Sequence, residues 1–285
     1  MTDHDVVVVG GGPTGCSAAV FAARYGLDTV VFDRGSSSLQ QCAFIENYLG
    51  FPGGIDVETF EAMAQAHAER VGADVVADMV TDIERIEEVF RVETQNGRRL
   101  TTDRLVAAST YDESYLLDLH EKFQTERDGE TVFDRDHPGP QGRTAVDGLY
   151  VAGPLAGVES QILVSAGQGA RVGLAVVGEY RRTVEDWWDE AARYHDWVVE
   201  QGRYEGEEWA EQMAEYYAES APDERDEATV RERALELART RQDRQIDEAE
   251  IQRRTERAYD HLLDFVPDER ILARADDLDP VEASD

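Results

Sequence analysis

The stretch Val6-Val7-Val8-Val9-Gly10-Gly11-Gly12-Pro13-Thr14-Gly15 decides the fold class of this chain. Its four valines form a continuous apolar run, which is typical of a buried parallel strand. The glycines follow in the pattern G-x-G-x-x-G, and residues 14–25 are predicted to form a helix. A second apolar run over residues 29–32 ends in Asp33. This order of strand, glycine-rich turn, helix, strand and acid predicts an α/β unit that binds a dinucleotide.

Each residue type in this stretch has a physical role at a dinucleotide site. Gly10 lets the chain turn, Gly12 lets backbone N–H groups approach a pyrophosphate, and Gly15 lets the helix lie close to the strand. The helix N-terminus adds partial positive charge near the phosphates. The Asp33 carboxylate can accept hydrogen bonds from both hydroxyls of an adenosine ribose, and it would repel a 2′-phosphate. The motif therefore favours NAD or FAD over NADP, and it does not choose between the first two.

The composition limits the partners and the compartment. The chain has 285 residues, 61 Asp and Glu against 28 Lys and Arg, and a formal net charge of -33. Such a surface repels nucleic acid and anionic membranes, so neither is an expected partner. No apolar run approaches the roughly 18 residues of a spanning helix, and the first five residues lack the basic start of a signal peptide. We therefore expect a cytoplasmic protein.

The basic residues are almost all arginine, since Lys122 is the only lysine. The excess of acidic residues is not confined to one block of the chain. At about 1 M salt the Debye length falls to roughly 3 Å, which screens the repulsion between such charges. The composition favours a protein of a halophile's salty cytoplasm, and the alternative is an acidic mesophilic protein with a charged tail.

Three later segments carry a resemblance to a known family. Residues 40–52 (QQCAFIENYLGFP) resemble the E-N-Y-P-G-F-P signature of the thioredoxin reductase family, a group of FAD-dependent pyridine nucleotide-disulfide oxidoreductases. Residues 147–153 (DGLYVAG) resemble its second flavin signature, and residues 161–169 (QILVSAGQG) resemble the Q-x-x-x-A-A-G-x-G helix start at the flavin ring. The resemblance covers about residues 4 to 180, and it implies FAD as the cofactor.

The resemblance also implies a fold and a set of cofactor-binding residues. The fold would be a Rossmann-like FAD-binding domain, with a central parallel sheet and a small antiparallel sheet, followed by a helical C-terminal region. Gln41 and Asn47 would lie beside the ribityl chain or the flavin ring, although Asn47 could instead cap a turn. Gln161 and Ile162 would cover the pyrimidine end of the ring. The full set of candidate cofactor contacts is Gly10, Gly12, Pro13, Thr14, Gly15, Asp33, Gln41, Asn47, Gly153, Gln161 and Ile162.

The chain departs from the family between its two flavin-binding halves, residues 1–110 and 146–180. The family inserts an NADPH-binding domain there, whereas this chain has only the polar connector 111–145, which is too short for a βαβαβ unit. No second glycine-rich fingerprint and no C-x-x-C motif occur in the sequence. We therefore predict one FAD-binding domain over residues 1–180, an acidic helical region over residues 181–285, and no NADPH–thioredoxin reductase activity.

Two further departures fall at expected cofactor contacts. The family's Ala-Gly-Asp becomes Ala152-Gly153-Pro154, which removes a carboxylate and a backbone donor. The family's Ala-Thr-Gly becomes Ala108-Ser109-Thr110. These changes leave open whether the flavin is retained.

The catalytic residues are not identified by the sequence. Cys42 and His137 are the candidates nearest the expected flavin, and each has a plainer interpretation, as a buried cysteine and as a loop histidine. Cys16 is expected to be a packing residue in the first helix. No metal-binding motif occurs, so no metal site is expected.

The acidic C-terminal third contains all four tryptophans. Trp187, Tyr194 and Val198 are spaced to share one helix face, and Trp209, Met213 and Tyr216 are spaced to share another. These aromatic rows would cover the flavin, or they would bind a second copy or a redox partner protein. The alternative is a solvated helical tail.

The sequence therefore predicts an FAD-binding oxidoreductase that exchanges electrons with an unknown substrate or protein partner. Two other interpretations remain open: a non-catalytic dinucleotide-binding protein with an interaction or regulatory role, and a single-domain enzyme that uses NAD in the manner of a thiazole synthase.

Overall fold

The structure is a computed structural model that describes residues 2–110 and 113–278. The chain divides into two compact units, Met1–Asp196 and Trp197–Asp285. The first unit extends past residue 180, where the sequence analysis set the end of the FAD-binding domain.

The first unit combines one large sheet with helices and short 3-10 turns. Its strands are β1 (His4–Val9), β2 (Thr29–Asp33), β3 (Asp74–Ala77), β4 (Val80–Ile86), β5 (Val89–Thr94), β6 (Arg99–Ala107), β7 (Gln124–Arg127), β8 (Glu130–Phe133) and β9 (Leu149–Val151). Its helices are α1 (Pro13–Tyr25), α2 (Val57–Arg70), α3 (Ser114–Leu117), α4 (Ile162–Thr183) and α5 (Asp189–Ala192). The 3-10 turns are Ser38–Gln41, Glu121–Phe123 and Gly153–Ala156.

Strand β6 joins a parallel and an antiparallel part of this sheet. On one side it lies parallel to β1, which is followed outward by β2 and β3. On its other side, the first half of β6 pairs antiparallel with β5, and β5 with β4, whereas its last three residues pair parallel with β9. The predicted α/β fold, with a central parallel sheet and a small antiparallel sheet, is confirmed.

Both faces of the parallel strands are covered, as the continuous valine run predicts. Val6 and Val8 face a core that includes α1 and α4, and Val7 and Val9 face a second core on the opposite side. Helices α1 and α4 lie very close together because α4 presents glycines there. A Cβ on Gly169 would lie 2.1 Å from the Thr14 carbonyl oxygen.

The connector between the two halves contributes to the second core. Its described residues, 113–145, form α3 and the β7–β8 hairpin. Tyr115, Leu116, Phe123 and Phe133 of this segment are buried. The connector is therefore a folded cover for one face of the sheet, although its sequence is polar and rich in turns. Residues 111 and 112 lie outside the described residues.

The predicted helix through Trp187, Tyr194 and Val198 is wrong, because only Asp189–Ala192 is helical in this segment. A side-chain network around the buried Arg181 holds the segment in another conformation. Arg181 donates from Nη2 to the Ala191 carbonyl oxygen at 2.7 Å and from Nη1 to the Tyr25 hydroxyl at 3.0 Å.

Glu185 completes this network. Its carboxylate accepts hydrogen bonds from the Tyr25 hydroxyl at 2.7 Å and from Trp187 Nε1 at 2.9 Å. These contacts join the segment to α1 and α4, which is why the first unit continues to Asp196.

The second unit is mainly helical, as predicted. It contains β10 (Val199–Glu200), α6 (Gly206–Glu219), α7 (Glu227–Asp243), β11 (Gln245–Ile246), α8 (Glu248–Leu263) and α9 (Asp268–Asp276). Helices α6 and α7 pack through small side chains, since the buried residues are Ala210, Ala214 and Tyr217 on α6 and Val230, Ala234 and Ala238 on α7.

The aromatic residues predicted to form the buried face of α6 do not form it. Trp209 and Met213 are only half-buried, and Tyr216 is exposed. The indole of Trp209 stacks on the Tyr204 ring, with centroids 4.5 Å apart. Alanines fill the interface with α7 because they let the two helices approach each other, and the bulky rings lie beside it.

Candidate functional site

A cavity opens at the carboxyl edge of the parallel strands. The strand order reverses there, because the chain continues from β1 to β2 on one side and returns through β6 and β9 on the other. In open α/β sheets this is where ligands bind. The cavity has about 940 Å³ of empty volume, which includes space open to solvent. Its lining comes from the loops after β1, β2, β3 and β6, from Pro154, and from the start of α4.

The glycine-rich turn after β1 is held by close backbone contacts. Gly10 has a φ angle of 115°, and an added Cβ would lie 2.8 Å from the Ala108 carbonyl oxygen. A Cβ on Gly15 would lie 1.8 Å from the Gly10 carbonyl oxygen. At Gly12, by contrast, the nearest atom to an added Cβ is the Ser37 hydroxyl oxygen at 3.8 Å. The space beside Gly12 therefore belongs to the cavity and not to the protein interior.

The carboxylate of Asp33 lies at the end of β2 and borders the cavity. Its Oδ1 accepts a hydrogen bond from the Gly35 backbone N–H at 3.1 Å, and its Oδ2 accepts one from Gln65 Nε2 at 2.6 Å. Gly11 is the third contact, since a Cβ there would lie 2.5 Å from the Asp33 Cβ. The sequence pattern predicts neither the contact of Gly11 with Asp33 nor that of Gln65.

Strand β9 places the second flavin signature beside the first turn of α1. Gly153 has a φ of 73°, and a Cβ on it would lie 2.8 Å from the Thr14 hydroxyl oxygen. Its backbone N–H donates to Gln168 Oε1 at 2.5 Å, and Pro154, which follows, lines the cavity. The Gly153–Pro154 turn is therefore anchored by a side chain of α4.

The remaining departure from the family, Ser109-Thr110, also lines the cavity. The Ser109 hydroxyl lies 2.7 Å from the hydroxyl of Tyr115, which comes from the connector and is buried. Tyr115 is a further lining residue that the sequence did not reveal, because its position depends on how the connector folds.

Asn47 and Gln161 meet at the end of the cavity where α4 begins. Asn47 Nδ2 donates to Gln161 Oε1 at 3.1 Å, although 114 residues separate them in the chain. Ile162 packs against a small core of Leu39, Ile45 and Phe60. The segments that resemble flavin signatures are thus neighbours in the folded unit.

Comparisons with known proteins agree with this geometry. Residues 4–109 match the model of the family described as pyridine nucleotide-disulphide oxidoreductase. This part of the chain is similar to that family. The chain is thioredoxin reductase-like, and the proteins of the matched family are FAD-binding flavoproteins.

The similar curated proteins match a little over a third of the chain. The F component of alkyl hydroperoxide reductase from Staphylococcus aureus (strain NCTC 8325 / PS 47) is 34% identical over 108 residues, which are 37% of this chain and 21% of that protein. A thioredoxin reductase of Aquifex aeolicus is 31% identical over 108 residues, which are 37% of this chain and 33% of that protein. The chain thus matches only a fifth to a third of the length of these relatives.

Solved structures show the fold. A thioredoxin reductase from Gloeobacter violaceus superimposes with a TM-score of 0.53 at 18% identity, over 68% of this chain and 98% of that one. The atypical thioredoxin reductase TRi from Desulfovibrio vulgaris Hildenborough gives a TM-score of 0.53 at 18% identity, over 64% of this chain and 99% of that one.

The cavity of the first unit fits an adenine dinucleotide. No side chain caps the N-terminus of α1, so its first turn is open toward the glycine cradle at Gly12. Asp33 offers a carboxylate for a ribose, and hydroxyl groups line the space between them. Seven predicted cofactor contacts line the cavity: Gly10, Gly12, Pro13, Thr14, Asp33, Gln161 and Ile162. The other four lie outside the lining. Gly15 and Gly153 closely contact lining residues, Asn47 bonds to Gln161, and Gln41 ends a 3-10 turn that borders the cavity.

The two catalytic candidates lie outside the cavity lining. Cys42 is exposed at the end of the Ser38–Gln41 turn. The His137 ring packs on Phe123, with centroids 5.0 Å apart, and its Nε2 accepts the Ala145 backbone N–H at 3.2 Å. Burial lowers the pKa of His137 below its ordinary value. Neither residue gains a partner that would identify it as an acid, base or nucleophile.

Cys16 is a packing residue, as predicted. Its side chain is 2% exposed, and its thiol donates to the Gly11 carbonyl oxygen at 3.2 Å. Burial, and next the negative charge of Asp33, raise the pKa of this thiol to about 12. The thiol therefore stays protonated, and its hydrogen bond to Gly11 stabilises the glycine-rich turn.

Residues 2–110 and 113–278 contain no cluster of three or more side chains suited to hold a metal ion. In the same residues, no helix has the length and apolar character to cross a membrane.

Proposed function

We propose that this protein is an FAD-dependent oxidoreductase that exchanges electrons with an unknown substrate or a protein partner, and that its electron donor is not NADPH. The observation that carries the proposal is the Asn47–Gln161 hydrogen bond at the end of the cavity where α4 begins. It joins the two segments that the family resemblance places beside the flavin ring.

The residues of the chain have distinct roles in this proposal. Gly12 and the first turn of α1 bind the pyrophosphate, and Asp33 accepts the adenosine ribose hydroxyls. Gln161 and Asn47 orient the redox-active end, where the α4 N-terminus adds partial positive charge. Bound FAD supplies the two-electron chemistry. The protein positions it.

Two observations support a donor other than NADPH, and the cysteines argue against transfer of electrons to a redox disulfide. Residues 113–145 form α3 and one hairpin where the family resemblance expects an inserted nucleotide-binding domain. The cysteines do not form a redox pair, since Cys16 is buried and Cys42 exposed. The Asp33 carboxylate opposes a 2′-phosphate in the cavity itself.

The acidic composition supports a working environment of high salt. A net charge of -33 is best tolerated where salt screens it, so we propose a salty cytoplasm as the protein's location. Trp197, which is 70% exposed, supports an interaction role for the second unit, either with a second copy or with a redox partner.

The test is a visible absorption spectrum of protein purified in about 1 M KCl, followed by anaerobic titration with NADPH and with NADH. We expect the bands of oxidised flavin and no fast bleaching by either nucleotide. Rapid stoichiometric bleaching would show that the chain binds a nicotinamide donor. Colourless protein that does not bind added FAD would favour the non-catalytic interpretation. Protein purified with bound NAD would favour the NAD-using enzyme.

A matched pair of variants locates the cofactor. Gly12→Val fills the space where the pyrophosphate would lie without contacting the protein interior, so it should fold and lose the flavin absorption. Gly53→Val adds the same side chain at a position with no atom within 4 Å and should keep it.

A further inference from the structure

Gln65 connects α2 with the end of β2. Its amide nitrogen Nε2 lies 2.6 Å from Asp33 Oδ2 and 3.5 Å from the Gly11 carbonyl oxygen, and the side chain is half-buried. Both neighbours can only accept hydrogen bonds, so the amide must present its NH₂ group to them. Gln65 is therefore a donor to the carboxylate that borders the cavity.

The contacts around Asp33 fix its side chain from three directions. Gln65 holds Oδ2, the Gly35 N–H holds Oδ1, and the backbone of Gly11 lies against the Cβ. A carboxylate has about four lone-pair positions, and these two donors use two of them. One acceptor position on each oxygen is left for a ligand.

We propose that Gln65 is a positioning residue for nucleotide recognition, which holds Asp33 so that its carboxylate accepts the two vicinal hydroxyls of an adenosine ribose. The inference rests on the proposed dinucleotide site. It adds a residue on a different element, which neither the glycine fingerprint nor the flavin signatures contain.

Because Gln65 is uncharged, it affects whether the site favours a free ribose or a ribose 2′-phosphate. A neutral amide orients Asp33 without cancelling its negative charge, whereas a cation at this position would pair with the carboxylate and attract a 2′-phosphate. The other titratable groups that act in this region include Glu61 and Glu69 on α2, the neutral Cys16 thiol on α1, and Arg34, the cation that follows Asp33. Gln65 therefore favours ribose hydroxyls over a 2′-phosphate.

The experiment measures the binding of FAD and of 5′-ADP by calorimetry, at about pH 8 and about pH 5.5. Gln65→Glu keeps the shape of the side chain and loses its donors, and Gln65→Met keeps its approximate volume without polarity. Both variants should bind each ligand about tenfold more weakly than the wild type at the higher pH. At the lower pH Gln65→Glu should recover most of this loss, because its protonated carboxyl can donate to Asp33, while Gln65→Met should not.

The return of affinity in Gln65→Glu at low pH distinguishes a hydrogen-bond donor from a residue that only fills space. Gln124→Glu carries the same charge change on an exposed side chain that does not line the cavity, and it should bind both ligands like the wild type at both pH values. Unchanged affinity in both Gln65 variants, or a loss in Gln65→Glu that does not depend on pH, would overturn the inference.

The two ligands keep this inference distinct from the proposed function. If the wild type binds 5′-ADP and not FAD, the flavin proposal fails, and the Gln65 variants still test the positioning role with 5′-ADP. If the wild type binds neither, both proposals fail.

Discussion

The two cysteines illustrate how surroundings determine chemistry at the scale of single residues. Cys16 lies under the glycine turn, with its thiol hydrogen-bonded to a backbone carbonyl, and Cys42 is exposed in a loop. Thiolate is the reactive form, and burial with nearby carboxylates disfavours it at Cys16. The two side chains should therefore differ strongly in reactivity.

We predict that iodoacetamide modifies one thiol per folded chain at about pH 8, and that this thiol is Cys42. Mass spectrometry of the intact protein should show a single adduct, and Cys42→Ser should abolish it. Unfolding in denaturant should expose both. Modification of Cys16 in the folded protein would contradict the burial that the structure shows.

The pKa of Cys16 also predicts a loss of stability in alkali. Its folded-state value of about 12 lies above its ordinary value of 9.0, so the unfolded state releases the proton first. The contribution is complete below about pH 9 and is lost as the pH rises toward the folded value. Cys16→Ala should therefore flatten the decline of the urea midpoint above about pH 9, and an unchanged slope would contradict this.

At the scale of elements, the contact between α1 and α4 matters most for the site. It places the glycine-rich turn before α1 and the start of α4 at the same edge of the sheet. The helices approach through Gly169 and Gly173, whose added Cβ atoms would lie 2.1 and 2.5 Å from carbonyl oxygens of α1. The neighbouring Gly167 faces open space on the same helix.

This difference gives a matched pair of substitutions. Gly169→Ala should lower the free energy of unfolding by at least about 2 kcal/mol, because backbone atoms must move. Gly167→Ala should leave it unchanged or raise it by about 0.5–1 kcal/mol, since alanine favours a helix more than glycine does. Urea denaturation measures both, and equal effects would show that the helices are not in close contact.

At the scale of the whole molecule, the charge dominates. The chain carries a net charge of -33. Repulsion among these charges weakens the compact state at low salt and is largely screened near 1 M, where the Debye length is about 3 Å.

We therefore predict that the melting temperature rises steadily with KCl up to about 1 M, by at least several degrees. Calorimetry at constant pH should show the rise with KCl and NaCl alike, because screening depends on ionic strength. A melting temperature independent of salt, or one that falls, would contradict a role for screening.

The sequence by itself determined the βαβ start of the fold, the positions of Gly10, Gly12, Gly15 and Asp33, and the small-residue character of Cys16. These are local consequences of strand periodicity and of steric limits within a few residues. Short-range rules are sufficient where both partners of a contact lie in one motif.

Only the tertiary structure decided which distant residues support the site. Gln65 reaches Asp33 from α2, Gln168 accepts the Gly153 N–H, and Tyr115 enters the cavity from the connector. Likewise the segment through Trp187, which periodicity predicts as a helix, is held in another conformation by hydrogen bonds of the buried Arg181. Side-chain donors and buried charges find their partners through space, and a pattern along the chain does not specify which element lies opposite.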